Sequence, residues 1–177
     1  MDVLVAAATS RELDCAAGAR TLACGIGPVE AGIATAAALA ERRPEAVIHV
    51  GLAGGRGIEA GTLVLASASL YCDLHADVHV PRRVEPDADL LARARAALPE
   101  ALLQPIGTSA TVGGTTGCDV EAMEGFAVLR AAELAGVPAI ELRAVSNEVA
   151  EPDRSLWQFE LGLAALAEAV PRLLRAL

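Results

Sequence analysis

Runs of apolar residues separated by glycine and proline predict the β-strands of this chain. The runs at residues 3–8 and 46–50 are continuous rather than alternating, which is typical of strands buried on both faces of a sheet. Residues 62–71 form a longer run, and Pro105 and Gly107 interrupt another. The predicted strands are residues 3–8, 21–25, 46–50, 62–71, 102–111 and 139–145.

Segments bounded by proline or glycine predict the helices. The first begins at Gly27-Pro28, where proline is tolerated in the first turn, and ends before Pro44. The third has Gly136 as its C-cap residue. The predicted helices are residues 28–43, 87–98, 121–135 and 155–174, and Pro171 is expected to kink or shorten the last one.

The alternation of strands and helices predicts an α/β fold with a mostly parallel sheet. In such sheets, ligands bind beyond the carboxyl ends of the strands. Several candidate segments follow predicted strands: Glu12, the glycine-rich turn at residues 51–55, Gly113-Gly114 and Asn147. We therefore expect these segments to meet at one edge of the sheet and form a binding site.

Length and composition add predictions about domain organisation and assembly. The chain is long enough for one domain with a full core, predicted to span residues 1–177. Hydrophobic residues make up 54% of the chain and aromatic residues only 2%, so small aliphatic side chains must fill the core. This apolar content predicts some apolar surface, which a homo-oligomer would cover.

The charge of the chain excludes several classes of partner. A net charge of −9 argues against nucleic acids and anionic membrane surfaces, which attract basic proteins. Residues 31–40 form the longest uncharged helical run, which is too short to cross a bilayer. Asp2 stands where a signal peptide carries Lys or Arg, so we expect a cytoplasmic protein. The cysteines form no Cys-x-x-Cys pair, which indicates free thiols rather than a zinc site.

Three polar side chains are candidates for chemistry. Glu12 follows the first strand, Glu124 lies in the predicted third helix, and Asn147 follows the last strand. Both carboxylates also fit a simpler explanation, because acidic residues stabilise the first turn of a helix without any function. Asn147 is likewise compatible with capping a turn. Arg143, in a strand predicted to be buried, needs an acidic partner, and one of these glutamates is a candidate.

Other motifs allow more than one interpretation. Gly25-Ile26-Gly27 has the spacing of a dinucleotide-binding turn, but Glu30 in place of the third glycine favours a plain strand-to-helix turn. Trp157 and Phe159 suit either stacking on a planar base or packing in the core. Acidic and histidine residues at period two offer metal-ligand chemistry on one face of a strand, although a polar strand end is the simpler interpretation and no metal is predicted: Asp73, His75, Asp77 and His79.

These segments resemble those of the nucleoside phosphorylase superfamily, in particular its methylthioadenosine/S-adenosylhomocysteine nucleosidase branch. The matching pieces span nearly the whole chain: the Glu12 segment and residues 25–28, 51–55, 120–125 and 142–147. Within that branch, Ser146-Asn147 and residues 153–157 are similar to the C-terminal signature of the futalosine hydrolases, and residues 111–115 to their base-binding segment. The resemblance implies a central, mixed, partly closed sheet flanked by helices.

The resemblance also implies roles for individual residues. Glu12 matches the catalytic carboxylate that orients and deprotonates the attacking water. Met123 and Glu124 match the ribose clamp, and Asn147 matches the catalytic position that meets purine N7 and its 6-substituent. The further substrate-binding residues predicted are Ala53, Gly54, Val112 and Trp157. No cofactor is expected, and the predicted partner is a small-molecule purine nucleoside.

The residue types agree with cleavage of an N-ribosidic bond. The ribose gains oxocarbenium character as the bond breaks, and the base leaves more easily when its N7 is protonated or hydrogen-bonded. The amide of Asn147 can donate to the O6 of a 6-oxopurine, which favours hypoxanthine over adenine as the leaving base. Phosphorolysis needs cationic residues that bind phosphate, and Arg56 and Arg20 are the candidates near these segments. The Glu12 carboxylate would repel a phosphate dianion and suits a water molecule, so hydrolysis is favoured over phosphorolysis.

The predicted activity is therefore hydrolysis of a purine nucleoside, and the resemblance implies release of hypoxanthine on the futalosine route to menaquinone. A methylthioadenosine/S-adenosylhomocysteine nucleosidase, a purine nucleoside phosphorylase and a non-catalytic nucleoside-binding protein are the alternatives. The chain departs from the family pattern, because the segments between Glu12 and Gly25 and at residues 113–120 are shorter. Phe126 also replaces a smaller residue, which is expected to narrow the ribose side.

Overall fold

The computed structural model describes residues 1–75, 78–114 and 116–177. Its strands are β1 Val3–Ala7, β2 Arg20–Ala23, β3 Ala46–Gly55, β4 Leu63–Tyr71, β5 Arg83–Val84, β6 Leu102–Thr108, β7 Val120–Ala122 and β8 Ala139–Glu148. Its α-helices are α1 Pro28–Glu41, α2 Ala88–Ala97, α3 Gly125–Leu134 and α4 Phe159–Ala176. Short 3₁₀-helices cover Glu12–Ala16 and Arg154–Leu156.

One mixed sheet joins these strands and closes on itself. β3 pairs with β7, and the pairing continues through β6, β4 and β8 back to β3. β1 and β2 extend the sheet in parallel from the first half of β3, and β5 adds an antiparallel edge to β4. The predicted α/β fold with a mixed, partly closed sheet is confirmed.

Helices cover both faces of the sheet, and the period-two alternation of β1 divides its side chains between two apolar layers. Val5 belongs to the layer that contains α2 and α4, whereas Leu4 belongs to the layer that contains α1 and α3. Asp87 starts α2 by accepting hydrogen bonds from the backbone N–H groups of Asp89 and Leu90. In the described ranges, no helix is long and apolar enough to cross a membrane.

The glycine-rich segment at residues 51–55 is not a turn, and this prediction is wrong. β3 continues through it to Gly55, with a bulge between Ala53 and Gly54. Pairing with β8 on one side and β7 on the other holds the glycines in extended conformation. Glycine in a strand often marks a place where other groups come close to the backbone, and that is its role here.

Two predicted helices begin later than the sequence pattern indicates. Residues 120–122 form β7 because they pair with both β3 and β6, so α3 starts at Gly125 with Glu124 in its N-cap position. The Thr108 hydroxyl accepts a hydrogen bond from Phe126 N, one of the N–H groups at this helix end that have no acceptor within the helix. The last helix starts at Phe159 and continues past Pro171 to Ala176, so proline does not shorten it.

Candidate active site

A cavity of about 490 Å³ opens where β1, β3 and β8 end. This volume is in the range of small-molecule sites, about 300–1,000 Å³. The structure brings every site residue predicted from the sequence to the wall of this cavity: Glu12, Ala53, Gly54, Val112, Met123, Glu124, Asn147 and Trp157. Asn147 lies inside β8 rather than after it, because that strand runs to Glu148.

Glu12 is a buried carboxylate with a fixed orientation. It begins the 3₁₀-helix that follows β1, and it is 8% exposed. Its Oε2 accepts hydrogen bonds from Thr9 N at 3.0 Å and Thr9 Oγ1 at 2.8 Å, and its Oε1 accepts one from Leu52 N at 3.0 Å. Thr9 lies just after β1 and Leu52 lies within the neighbouring β3, so the sheet itself positions the carboxylate.

Glu124 lies across the same cavity and is 4% exposed. Its Oε1 accepts a hydrogen bond from Gly27 N at 3.1 Å, and its Oε2 lies 3.5 Å from Arg143 Nη2. Burial raises the pKa of Glu124 above its ordinary value, although the Arg143 cation and the Gly27 N–H oppose this shift. Gly25-Ile26-Gly27 thus forms a strand-to-helix turn whose backbone contacts a site carboxylate, with φ values of +87° and +92° at its glycines.

Arg143 connects the site carboxylate to a network of buried polar side chains. Its Nε donates to Glu141 Oε1 at 2.8 Å, and Glu141, which is fully buried, also accepts from the Ser69 hydroxyl. Burial opposes the charge of Arg143, but the Glu141 and Glu124 carboxylates raise its pKa above the ordinary value. Arg143 therefore has two acidic partners, Glu124 and Glu141. The sequence interpretation named Glu124 as a candidate and missed Glu141.

His49 completes this network as a neutral side chain. Burial and the Arg143 cation lower its pKa well below the ordinary value, against the effect of the Ala6 carbonyl. His49 Nδ1 lies 3.0 Å from Ala6 O, and Nε2 lies 2.5 Å from Arg143 Nη2. The neutral ring therefore donates from Nδ1 to the carbonyl and accepts at Nε2 from the guanidinium.

Polar side chains of the site approach the backbone of β3 closely, which explains its glycine-rich segment. A Cβ on Gly51 would lie 2.5 Å from Arg143 Nη1 and 2.8 Å from Glu12 Oε1, and one on Gly54 would lie 3.2 Å from Asn147 Nδ2. The same holds at the start of α3, because a Cβ on Gly125 would lie 2.3 Å from Glu141 Oε1. These glycines leave the space that the polar side chains occupy.

Asn147 and Trp157 form the other side of the cavity. Asn147 Oδ1 accepts from the Ser146 hydroxyl at 2.8 Å, and its Nδ2 donates to Glu148 O at 3.0 Å. Trp157 Nε1 donates to Glu151 O at 3.1 Å, and its ring lies 5.5 Å from the Phe159 ring. Both aromatic rings line the cavity rather than the core.

Comparisons with known proteins identify the family. The sequence pattern of the Phosphorylase superfamily matches residues 19–177. A futalosine hydrolase of Streptomyces coelicolor is 37% identical, over 86% of this chain and 77% of the relative, and one of Thermus thermophilus is 32% identical, over 86% and 80%. This chain belongs to the phosphorylase superfamily and, within it, to the futalosine hydrolase family.

Solved structures show the same fold. A methylthioadenosine/S-adenosylhomocysteine nucleosidase from Neisseria meningitidis, in complex with methylthio-immucillin-A, superimposes with a TM-score of 0.87 at 22% identity, covering 99% of both chains. A futalosine hydrolase mutant of Helicobacter pylori gives 0.89 at 16% identity, also covering 99% of both chains. At identities of 16–22%, these superpositions show a shared fold and nothing more.

The positively charged residues of the cavity differ from those expected. Neither Arg20 nor Arg56 is part of its wall; Arg56 Nη2 lies 3.6 Å from Glu121 Oε1, and Arg20 donates to Arg42 O at 2.8 Å. Arg11 and Arg154 line the cavity instead. Arg11 is adjacent to Glu12 in the sequence, which was the available signal, and it forms an ion pair with Glu160.

Phe126 does not narrow this cavity, because its ring stacks on Tyr71 at 5.3 Å and lines a separate groove.

The cysteines and the period-two motif were the other candidates for metal or redox chemistry. All four cysteines are free. Asp77 of the period-two motif lies outside the described residues, and among those described there is no cluster of three or more potential metal ligands.

Proposed function

We propose that this chain hydrolyses the N-ribosidic bond of futalosine and releases hypoxanthine. The observation that carries the proposal is the meeting of Glu12, Glu124 and Asn147 on one cavity, with Glu12 and Glu124 held by backbone donors. The curated relatives at 37% and 32% identity are named for this activity. The reaction would then belong to the futalosine route of menaquinone biosynthesis.

Glu12 acts as the general base in this proposal. Its oxygens are fixed by Thr9 and Leu52, so the carboxylate is held ready to orient a water molecule and accept its proton. The water oxygen bonds to C1′ of the ribose while the C1′–N9 bond breaks, and the bonding electron pair leaves with the base. A neutral amide cannot protonate that base, so Asn147 assists by hydrogen bonding and the proton arrives through water.

Glu124 and Met123 grip the ribose. A buried carboxylate that accepts hydrogen bonds from two sugar hydroxyls stabilises the charge that develops on the ring, and Arg143 helps to keep Glu124 ionised despite its burial. Ala53, Gly54 and Val112 shape the cavity for a flat base, and Trp157 provides an aromatic wall.

We predict that hypoxanthine release from futalosine is faster than adenine release from methylthioadenosine, by roughly 10²-fold or more in kcat/KM. The amide group of Asn147 has a second N–H beside the one used for Glu148, and it suits the O6 of hypoxanthine. Chromatography of the free bases measures both rates. Asn147→Asp should shift the preference toward adenine, and faster adenine release by the unaltered protein would contradict the assignment.

The same assay separates hydrolysis from phosphorolysis. Arg11 and Arg154 in the cavity wall are the observations in favour of a phosphorylase, but Glu160 already pairs with Arg11, and the Arg154 guanidinium lies over the Trp157 ring. We therefore expect no dependence on inorganic phosphate. Phosphate-dependent release with a sugar phosphate as product would instead support the phosphorylase, and substrate binding without turnover would support a binding protein.

We further propose that two copies of this chain associate through the groove between α1 and α3. Ile26, Val29, Ile33 and Leu134 are 62–72% exposed, and the groove has a volume of about 550 Å³. Val29 lines this groove and the neighbouring Ile26 lines the active-site cavity, so the apolar surface is continuous with the mouth of the site. A second copy offers the same apolar residues for an isologous contact.

Sedimentation velocity tests this assembly. The unaltered protein should sediment as a dimer at micromolar concentration, and Val29→Glu with Ile33→Glu should give monomers. Leu156→Glu changes an equally exposed apolar side chain in another segment and should leave the dimer intact. A monomer across the whole concentration range would disprove the proposed contact.

The remaining proposals concern organisation and location. We propose that residues 1–177 act as one domain, since a single sheet incorporates strands from Val3 to Glu148. We place the reaction in the cytoplasm, where free thiols such as the four cysteines persist. The mechanism uses water and protein side chains, so no cofactor is part of the proposal.

A further inference from the structure

The loop at residues 111–119 contributes Thr111, Val112 and Gly113 to the cavity wall. Its described residues form no helix or strand, and three of its glycines have positive φ: +108° at Gly113, +77° at Gly114 and +73° at Gly117. Glycine makes these conformations possible but does not select them, because it also adopts many others. Other groups must therefore fix the shape of the loop.

Glu121 supplies hydrogen-bond acceptors to this loop. Its Oε2 accepts from Gly114 N at 3.0 Å, and its Oε1 accepts from Thr116 N at 3.1 Å and from Thr116 Oγ1 at 2.7 Å. The carboxylate is 9% exposed, and Arg56 Nη2 lies 3.6 Å away as its counterion. Hydrogen bonds to an ionised carboxylate are stronger than neutral ones, so these contacts restrain the loop effectively.

Glu121 is itself anchored on both sides. It belongs to β7, where it pairs with Gly54 of β3 and Gly107 of β6. Gly54 is one of the cavity residues, so the same strand pairing links the loop to the floor of the site. The Glu121 carboxylate is thus fixed by the closed sheet, and its hydrogen bonds restrain the loop.

Thr116 is seated against a strand position that lacks a side chain. A Cβ on Gly107 would lie 2.6 Å from both Thr116 Cβ and Thr116 Oγ1, so only glycine leaves room for it. Thr116 Oγ1 also accepts from Cys118 N at 3.1 Å. Displacing Thr116 would consequently disturb both the contact with Glu121 and the second half of the loop.

We infer that Glu121 is a positioning residue for purine binding: it holds the loop at residues 111–119 so that the loop backbone meets the edge of the base. This inference rests on the proposed function, in which Asn147 faces the same base. Glu121 would then set the affinity for the base, while Glu12 and Glu124 act at the sugar. A loss of loop order raises KM and weakens binding of the free base, with little effect on the bond-breaking step.

Glu121→Gln tests the inference, because it removes the charge and presents an N–H₂ group toward backbone N–H donors. We expect KM for futalosine to rise about 10-fold, the factor that 1.4 kcal/mol of binding gives, with kcat changed much less. Calorimetry with hypoxanthine should show the same loss of affinity. The matched control is Glu59→Gln, an exposed glutamate outside the cavity wall, which should change neither quantity.

Gly107→Ala displaces Thr116 while keeping the Glu121 carboxylate, and it should reproduce the rise in KM at nearly constant kcat. It also keeps the inference testable if Glu121→Gln does not fold. A fall in kcat at unchanged KM, or wild-type values in both variants, would overturn the inference. If the unaltered protein does not act on futalosine, the proposed function fails, whereas calorimetry with hypoxanthine and adenine still decides the role of Glu121.

Discussion

Glu12→Gln should lower kcat for hypoxanthine release by at least about 10²-fold, the usual scale for loss of a general base. Glutamine has nearly the same shape and keeps one oxygen for the Leu52 N–H at 3.0 Å or for the Thr9 donors, so the fold should be preserved. Its amide cannot take a proton from water. KM should change little, since the ribose and the base are bound by other residues.

Asp14→Asn is the matched control for this prediction. Asp14 lies two positions further along the same 3₁₀-helix, but it is exposed and absent from the cavity wall. The neutralised control should retain full activity, which separates the loss of a base from a general loss of negative charge. Steady-state kinetics and a thermal unfolding curve for each variant complete the comparison. Near-wild-type turnover by Glu12→Gln would remove Glu12 from the mechanism.

The sequence predicted the parts of the site that depend on strand ends. The apolar run that became β1 and the runs that became β3 and β8 are strong signals, because these strands are buried on both faces. Polar residues at or just beyond the carboxyl ends of parallel strands emerge at the same edge of the sheet. Glu12 and Asn147 therefore reach one cavity even though 134 residues of chain lie between their positions 12 and 147.

The sequence pattern failed where long-range pairing overrides local preference. Residues 120–122 have a helical neighbourhood, yet they become β7 because β3 and β6 both offer free edges there. The glycines at 51–55 indicate a turn locally, whereas the structure uses them to admit Arg143 and Glu12. Glu141 escaped notice for a related reason, because its role depends on a neighbour two residues along one strand and on Ser69 of another.

Arg143→Met should lower the free energy of unfolding by about 3–5 kcal/mol, the usual cost of breaking a buried ion pair from one side. The variant leaves the Glu141 carboxylate fully buried without its cation, and it removes the partner of Glu124 at 3.5 Å. Since small domains are stable by only about 5–15 kcal/mol, much of the stability would be lost. Urea unfolding, followed by fluorescence of the single tryptophan Trp157, measures the change.

Arg130→Met provides the control for removal of an arginine. Arg130 pairs with Glu133 on the surface of α3, where both side chains are partly exposed, so its loss should cost no more than about 1 kcal/mol. Arg143 pairs with two buried carboxylates and Arg130 with one partly exposed carboxylate, so the contrast measures the cost of removing a guanidinium from buried partners.

A double variant reveals whether the unpaired charge is the source of the instability. Arg143→Met combined with Glu141→Gln leaves a neutral amide that can still accept from the Ser69 hydroxyl, so it should be more stable than Arg143→Met alone. If the two changes simply add, the buried pair is not coupled and the destabilisation of Arg143→Met has another origin. Partial recovery, by contrast, would show that the buried Glu141 carboxylate, left without its cation, causes most of the instability of Arg143→Met.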